Sequence, residues 1–336
     1  MRLFPIDESP KEPTGSGQLI GMDEAGYGPN LGPMVVAISV WNTPDSPQAC
    51  DPWRLLAAGV SQKKPTGEQL IVGDSKGVYQ PGKGLAVLER TVLALLSTLG
   101  FKPTSFQELC RQLHITTAID GGVGSCFADA GPWLKEMNVS LPFTASAESI
   151  RRGADCFAKA ADSAGFQLKS LHADVVSEPR FNRLVERYDS KGETLSRTAM
   201  SLLHHVFPKT GTVETLVIGD KHGGRNRYAG LLSESFDGAM PQILEEGTPI
   251  SRYRFPRTEL RFQAKGEQEF PVAVASMVAK YLRELAMECF NLYWCERIPD
   301  LAPTKGYPQD ARRFYSAIRE IAPEEVVPTD LIWRSR

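Results

Sequence analysis

The chain has 336 residues, 42% of them hydrophobic and 23% charged, an ordinary globular composition with enough length to bury a core. Its 38 Lys and Arg against 40 Asp and Glu give a formal net charge of -2, which speaks against a non-specific polyanion binder but not against an enzyme that concentrates charge in one site. No apolar run reaches the ~18 residues of a membrane span, and the six cysteines are scattered without close pairs, so a reduced, cytoplasmic protein with no structural zinc and no membrane partner is expected.

Residues 1–17 are polar and rich in Pro and Gly, and read as a flexible tail without a signal-peptide core. Gln18 to Gly21 reads as a short strand running into Asp23. After the Gly/Pro-rich turn from Gly26 to Pro33, the run Met34, Val35, Val36, Ala37, Ile38 reads as a buried strand. Together they suggest an antiparallel pair with carboxylates at one end. Leu85, Leu88, Val92, Leu95, Leu96 and Leu99 recur at helical spacing, with Gly100 as a stop. Residues 101–165 read as an insertion, although Ala147 to Ala164 has a helical pattern. Phe166 to Val176 reads as extended, and a helix is expected to begin around Asp174 and Glu178. Leu195 to Val206 reads as a helix, and Thr215 to Ile218 as a strand ending at Gly219 and Asp220. Arg252 to Ala264 alternates like a single strand. Pro271 to Phe290 carries the strongest helical pattern, and Gln309 to Ile321 is a further amphipathic helix. The order of elements predicts a mixed α/β fold.

Acidic residues recur where these elements begin or end: Asp23, Glu24, Asp220 and Glu267. Hydrolysing a phosphodiester requires a neutralised phosphate and an activated water, which two Mg²⁺ ions roughly 3.5–4 Å apart can supply. Such ions take oxygen ligands, so several carboxylates must converge from different elements. Adjacent residues of a regular strand point to opposite faces, so Asp23 and Glu24 would both approach the ions only with a bend at Ala25 and Gly26. Alone, the pair would read as a solvated turn.

The context goes further. Gly21-Met22-Asp23-Glu24-Ala25-Gly26-Tyr27-Gly28-Pro29, followed by Gly32-Pro33-Met34-Val35-Val36-Ala37, resembles the signature of type 2 ribonuclease H. Asp74-Ser75-Lys76, Leu216 to Asp220, Lys265-Gly266-Glu267 with Ala275 to Lys280, and Lys305-Gly306-Tyr307 resemble further segments of that family, in its order. The resemblance implies a ribonuclease H-like α/β fold, a central mixed sheet flanked by helices. It also implies two-metal hydrolysis, with Mg²⁺ or Mn²⁺, of the RNA strand of an RNA–DNA hybrid or at ribonucleotides embedded in a duplex. Asp23, Glu24, Asp220 and Glu267 would be both the catalytic residues and the metal ligands. Asp74, Ser75 and Lys76 would lie near backbone phosphates, and Tyr307 would pack on a sugar. Gly26, Tyr27 and Gly28 would line the substrate, the glycines admitting a close approach to its 2′-hydroxyl.

Two departures stand out. Tyr27 replaces the arginine that the family places between the glycines. Glu267 is one residue closer to Ser276 than the family spacing, which makes Glu269 its rival as the fourth acid. Beyond Asp220, Lys221 and Arg225, with Arg227, read as a phosphate-gripping loop, and His222 as a candidate proton shuttle. Arg151, Arg152, Arg312 and Arg313 read as solvated helix faces, and His204 and His205, adjacent on a helix, face different ways and would not share a metal. The alternatives are a nucleic-acid-binding protein of the same fold with weakened catalysis, and a nuclease acting on another nucleic-acid structure. No protein partner is legible.

Overall fold

The structure, a computed structural model, describes residues 17–79, 84–114, 127–207, 213–324 and 326–335. The expected tail therefore lies outside the described residues except for Gly17, which is not tail but the first residue of a strand. In chain order the elements are β1 (Gly17–Ala25), β2 (Met34–Thr43), α1 (Pro52–Leu55), β3 (Val60–Ser61), β4 (Leu70–Ile71), α2 (Ser75–Val78), α3 (Ala86–Thr98), α4 (Phe106–Leu113), α5 (Pro132–Glu136) and α6 (Ala147–Ala164). There follow β5 (Gln167–Val176), α7 (Glu178–Tyr188), α8 (Lys191–Val206), β6 (Glu214–Asp220), α9 (Ala229–Ser235), β7 (Gln242–Glu246), β8 (Ile250–Phe255), β9 (Thr258–Gln263), α10 (Phe270–Cys295), α11 (Pro308–Ile321) and α12 (Thr329–Ile332).

Seven strands form one mixed sheet in the order β5-β2-β1-β6-β9-β8-β7. β1 lies near its centre, antiparallel to β2 and parallel to β6, which is in turn parallel to β9. Helices cover both faces, giving the mixed α/β architecture that the sequence predicts. Strand alternation decides which side chains face which layer. Leu19, Val35, Ala37, Leu216 and Ile218 join the core under α3 and α10. Ile20, Met22, Val36, Val217, Leu260 and Phe262 join the core under α7 and α8.

α10 is the longest helix and is buried over nearly its whole length, so its pattern is apolar on all sides rather than a stripe. It opens directly on β1. A Cβ on Gly21 would fall 2.0 Å from the Pro271 carbonyl carbon, so glycine is required for this approach. The Ser39 hydroxyl donates to the Pro271 carbonyl at 2.7 Å and accepts from Trp41 Nε1 at 2.8 Å, which fixes the start of α10 against β2.

Two expectations are corrected. The stretch from Arg252 to Ala264 is not one strand but the hairpin β8–β9, with Phe255 opposite Thr258 across a two-residue turn. Asp174 does not begin a helix. It is fully buried in β5 opposite Val36 and bonds Arg180 Nη2 at 3.0 Å, while α7 starts at Glu178. In segment 101–165, Phe106, Leu109, Trp133, Leu134, Ile150 and Phe157 enter the same core as α10.

Candidate active site

The site is built at the ends of two neighbouring parallel strands. Met22 is opposite Gly219, so Asp23 and Asp220 follow side by side where β1 and β6 finish. Both lie on the α10 face. The chain leaves β9 through Lys265, whose φ of 62° turns it into a short 3-10 segment, Gly266–Gln268. The Gly266 amide donates to Asp220 Oδ1 at 3.1 Å. A Cβ on Gly266 would lie 2.9 Å from the Asp220 Cα, so the turn carrying Glu267 can sit this close because residue 266 is glycine.

Burial raises the pKa of Asp23 well above the ordinary carboxylate range. Hydrogen bonds from the Ser276 hydroxyl and the Glu24 amide act in the opposite direction, and the charges of Asp220 and Glu267 add to the rise. The structure thus brings Asp23, Asp220 and Glu267 within electrostatic reach of one another. Glu269, the rival of Glu267, instead accepts from Gln263 Nε2 at 3.2 Å and stands at the start of α10.

Glu24 follows Asp23 in β1, and its charge and that of Asp220 both bear on Tyr228. The β1–β2 ladder runs without a bend through Ala25 opposite Val35, so Glu24 leaves β1 on the other face. Its charge also bears on Tyr27, and the pKa values of both tyrosines are raised first by burial, that of Tyr228 to about 12. Among the described residues, no three His, Cys, Asp or Glu side chains are grouped to hold a metal ion. The charges of Asp220 and Glu267 repel that of Asp23. Among the described ion pairs, none involves Asp23, Asp220 or Glu267 to offset that repulsion. The donor chemistry, all carboxylate oxygen, fits a hard divalent cation.

Ser276 is a residue the sequence reading did not place in the site. Its hydroxyl reaches Asp23 and shares a 2.9 Å hydrogen bond with the Ser75 hydroxyl, which ties the segment Asp74–Ser75 to the acids. The available signal was a lone serine in the apolar run of α10. Ser75 is buried, and the Lys76 side chain lies outside the described residues. Tyr307 is exposed at the start of α11. Its neighbour Gly306, with φ of 79°, accepts from the Asn30 amide at 2.8 Å, placing Tyr307 beside the Gly26–Pro33 loop.

The loop after Asp220 differs from the expected phosphate grip. Lys221 Nζ is directed inward, within 2.6 Å of the Gly247 carbonyl, 2.9 Å of Asn226 Oδ1, 3.0 Å of Ser251 Oγ and 3.2 Å of the Arg225 carbonyl. It closes the loop, its three N–H donors facing these four acceptors, while burial lowers its pKa. Arg225 pairs with Glu193 of α8. Arg227, 90% exposed in its side chain, is the cation of this loop that faces solvent. His222 is buried and its Nδ1 lies 3.2 Å from Ser196 Oγ. Burial, with the Arg225 charge, lowers its pKa to about 3, so it is neutral and enclosed rather than a solvent-facing proton carrier.

No family model and no curated protein matches the chain. Among solved structures it is similar to ribonuclease H2 from Pyrococcus horikoshii OT3, at 16% identity and a TM-score of 0.46, over 94% of this chain and 92% of that one. It is similar to RNase HII of Archaeoglobus fulgidus, solved as a complex with PCNA, at 17% identity and a TM-score of 0.42, over 95% and 94%. It is also similar to Bst-RNase HIII in complex with Mn²⁺, at 17% identity and a TM-score of 0.42, over 96% and 67%. At these identities and TM-scores a shared activity does not follow.

Proposed function

We propose that this chain is a metal-dependent endonuclease that hydrolyses the RNA strand of RNA–DNA hybrids or cuts at ribonucleotides embedded in a duplex, acting in the cytoplasm. The observation that supports it most directly is the meeting of Asp23, Asp220 and Glu267 at the ends of β1, β6 and the turn after β9. Asp23, Glu24, Asp220 and Glu267 would hold Mg²⁺ or Mn²⁺, with two ions expected, and bound ions would supply phosphate neutralisation and an activated water. Around them the chain's own groups have separate tasks. Ser276 orients Asp23 and favours its ionised form. The Gly266 amide fixes Asp220. Gly26 and Gly28 admit the sugar–phosphate backbone, and Tyr307 offers a ring to a sugar. By the family resemblance, the segment Asp74, Ser75 and Lys76 would serve the backbone phosphates.

The test is cleavage of a labelled RNA–DNA hybrid, with an all-DNA duplex of the same sequence as control. Asp23→Asn, Glu24→Gln and Asp220→Asn are expected to lose cleavage while retaining a cooperative melt. Full activity in a folded Asp220→Asn protein would sink the reading. The second reading, a nucleic-acid-binding protein with weak catalysis, is favoured by the placement of Glu24 on the opposite face of β1. Calorimetric titration with Mn²⁺ separates the two: metal binding without turnover supports the second.

A further inference from the structure

Beneath the Gly26–Pro33 loop lies a set of buried charges with no task in the chemistry above. Arg334, Arg283 and Glu178 are all buried. Arg334 lies over the Phe181 ring, 4.4 Å from its centroid. Its Nε donates to the Pro29 carbonyl at 3.1 Å, and its Nη2 to the carbonyls of Pro29 and, at 3.2 Å, Tyr27. Its backbone amide donates to the Asn30 carbonyl at 2.9 Å. Arg283 Nη2 donates to the carbonyls of Leu31, at 3.3 Å, and Lys305, at 3.1 Å.

Two arginines thus draw the loop's carbonyls inward, from Tyr27 to Leu31. The Asn30 and Leu31 amides are taken by the Gly306 carbonyl. The Tyr27 and Gly28 amides are left: among the described residues neither has a protein acceptor, and Gly28 is exposed with nothing within 4 Å of a would-be Cβ. The arrangement is costly. Arg334 Nη1 and Arg283 Nε are buried without a hydrogen-bond partner. A surface turn would not need such an anchor. A loop whose amides must meet a ligand in one fixed geometry does.

We infer that Arg334 is a positioning residue: with Arg283 it holds the Tyr27 and Gly28 amides open toward the substrate, so residues 333–335 govern how the sugar–phosphate is read. This rests on the function proposed above. Asn182 fastens the same segment from outside, its Nδ2 donating to the Trp333 carbonyl at 2.9 Å and its Oδ1 accepting from the Ser335 amide at 2.6 Å.

The experiment uses the full chain and the variants Arg334→Lys, Arg334→Met and Asn182→Ala, the last leaving the buried arginine intact in case Arg334→Met fails to fold. Amide hydrogen exchange is read at Asn30 and Leu31. Hybrid cleavage is read as separate kcat and KM, and Mn²⁺ affinity by calorimetry. In folded variants the two amides should exchange about tenfold faster. kcat/KM should fall about 10–100-fold with Mn²⁺ affinity unchanged, and Arg334→Lys should keep more activity than Arg334→Met. Unchanged exchange in the folded variants overturns the inference, as does full kcat/KM with a loosened loop. If the wild-type chain cleaves no hybrid, the proposed function fails, and the exchange measurement alone decides whether Arg334 positions the loop.

Discussion

Glu259 on β9 accepts from Arg261 Nε at 2.8 Å, Arg252 Nε at 2.9 Å and Arg254 Nη2 at 3.2 Å. Burial alone would raise its pKa, but these bonds and charges outweigh burial and hold it at about 2. A carboxylate held below its usual value stabilises the fold at neutral pH, and that contribution is lost as pH falls from the ordinary value of 4.5 toward 2. Glu259→Gln should therefore flatten the acid limb of a plot of urea midpoint against pH. Glu178 has the opposite sign. Burial pushes it up to about 7, against the pull of Arg334 and Arg283. Its contribution to stability falls as pH rises from 4.5 to about 7, and Glu178→Gln should remove that part of the slope. An unchanged pH dependence in either variant would contradict the assignment.

Single side chains also join whole elements. Glu89 of α3 is fully buried and accepts from the amides of Phe143, Thr144 and Ala145 at 2.6, 2.5 and 2.6 Å, and from the Tyr281 hydroxyl of α10 at 2.7 Å. It therefore fastens the loop before α6 to both helices. Glu89→Ala would leave several buried donors unpaired and should cost about 3 kcal/mol in a denaturation experiment. Gly266→Ala tests the other kind of joint. The added methyl must displace Asp220, so cleavage should fall about 10–100-fold for a stability loss of about 1–3 kcal/mol. At this scale the legibility of the sequence varies for physical reasons. α6 has the expected limits because Ser146 caps its first turn and Gly165, with φ of 61°, ends it. The β8–β9 hairpin was hidden because Pro256 and Arg257 form its turn without the Asn or Gly that marks such turns, while alternation continues on both sides. Asp23, Asp220 and Glu267 were visible as acids at element ends. The face taken by Glu24 depends on how far β1 runs before it bends, which periodicity does not encode. Arg334 acts through contacts with residues far away in sequence, and no local pattern announces it.

Across the whole molecule, β1 pairs with β6 and lies under α10, so the centre of the sheet is made from contacts between distant parts of the chain. Such contacts close late and slow the search for the native state. A consequence follows for synthesis. The ribosome releases Asp23 with the first strand, long before Asp220 and Glu267 exist, and Asp23 has no Ser276 to hold it until α10 has emerged. A chain interrupted in translation before β6 carries Asp23 and Glu24 without Asp220 and Glu267. Under the proposed function, the nucleolytic hazard is confined to the finished molecule, and an unfinished one is harmless to the hybrids around it.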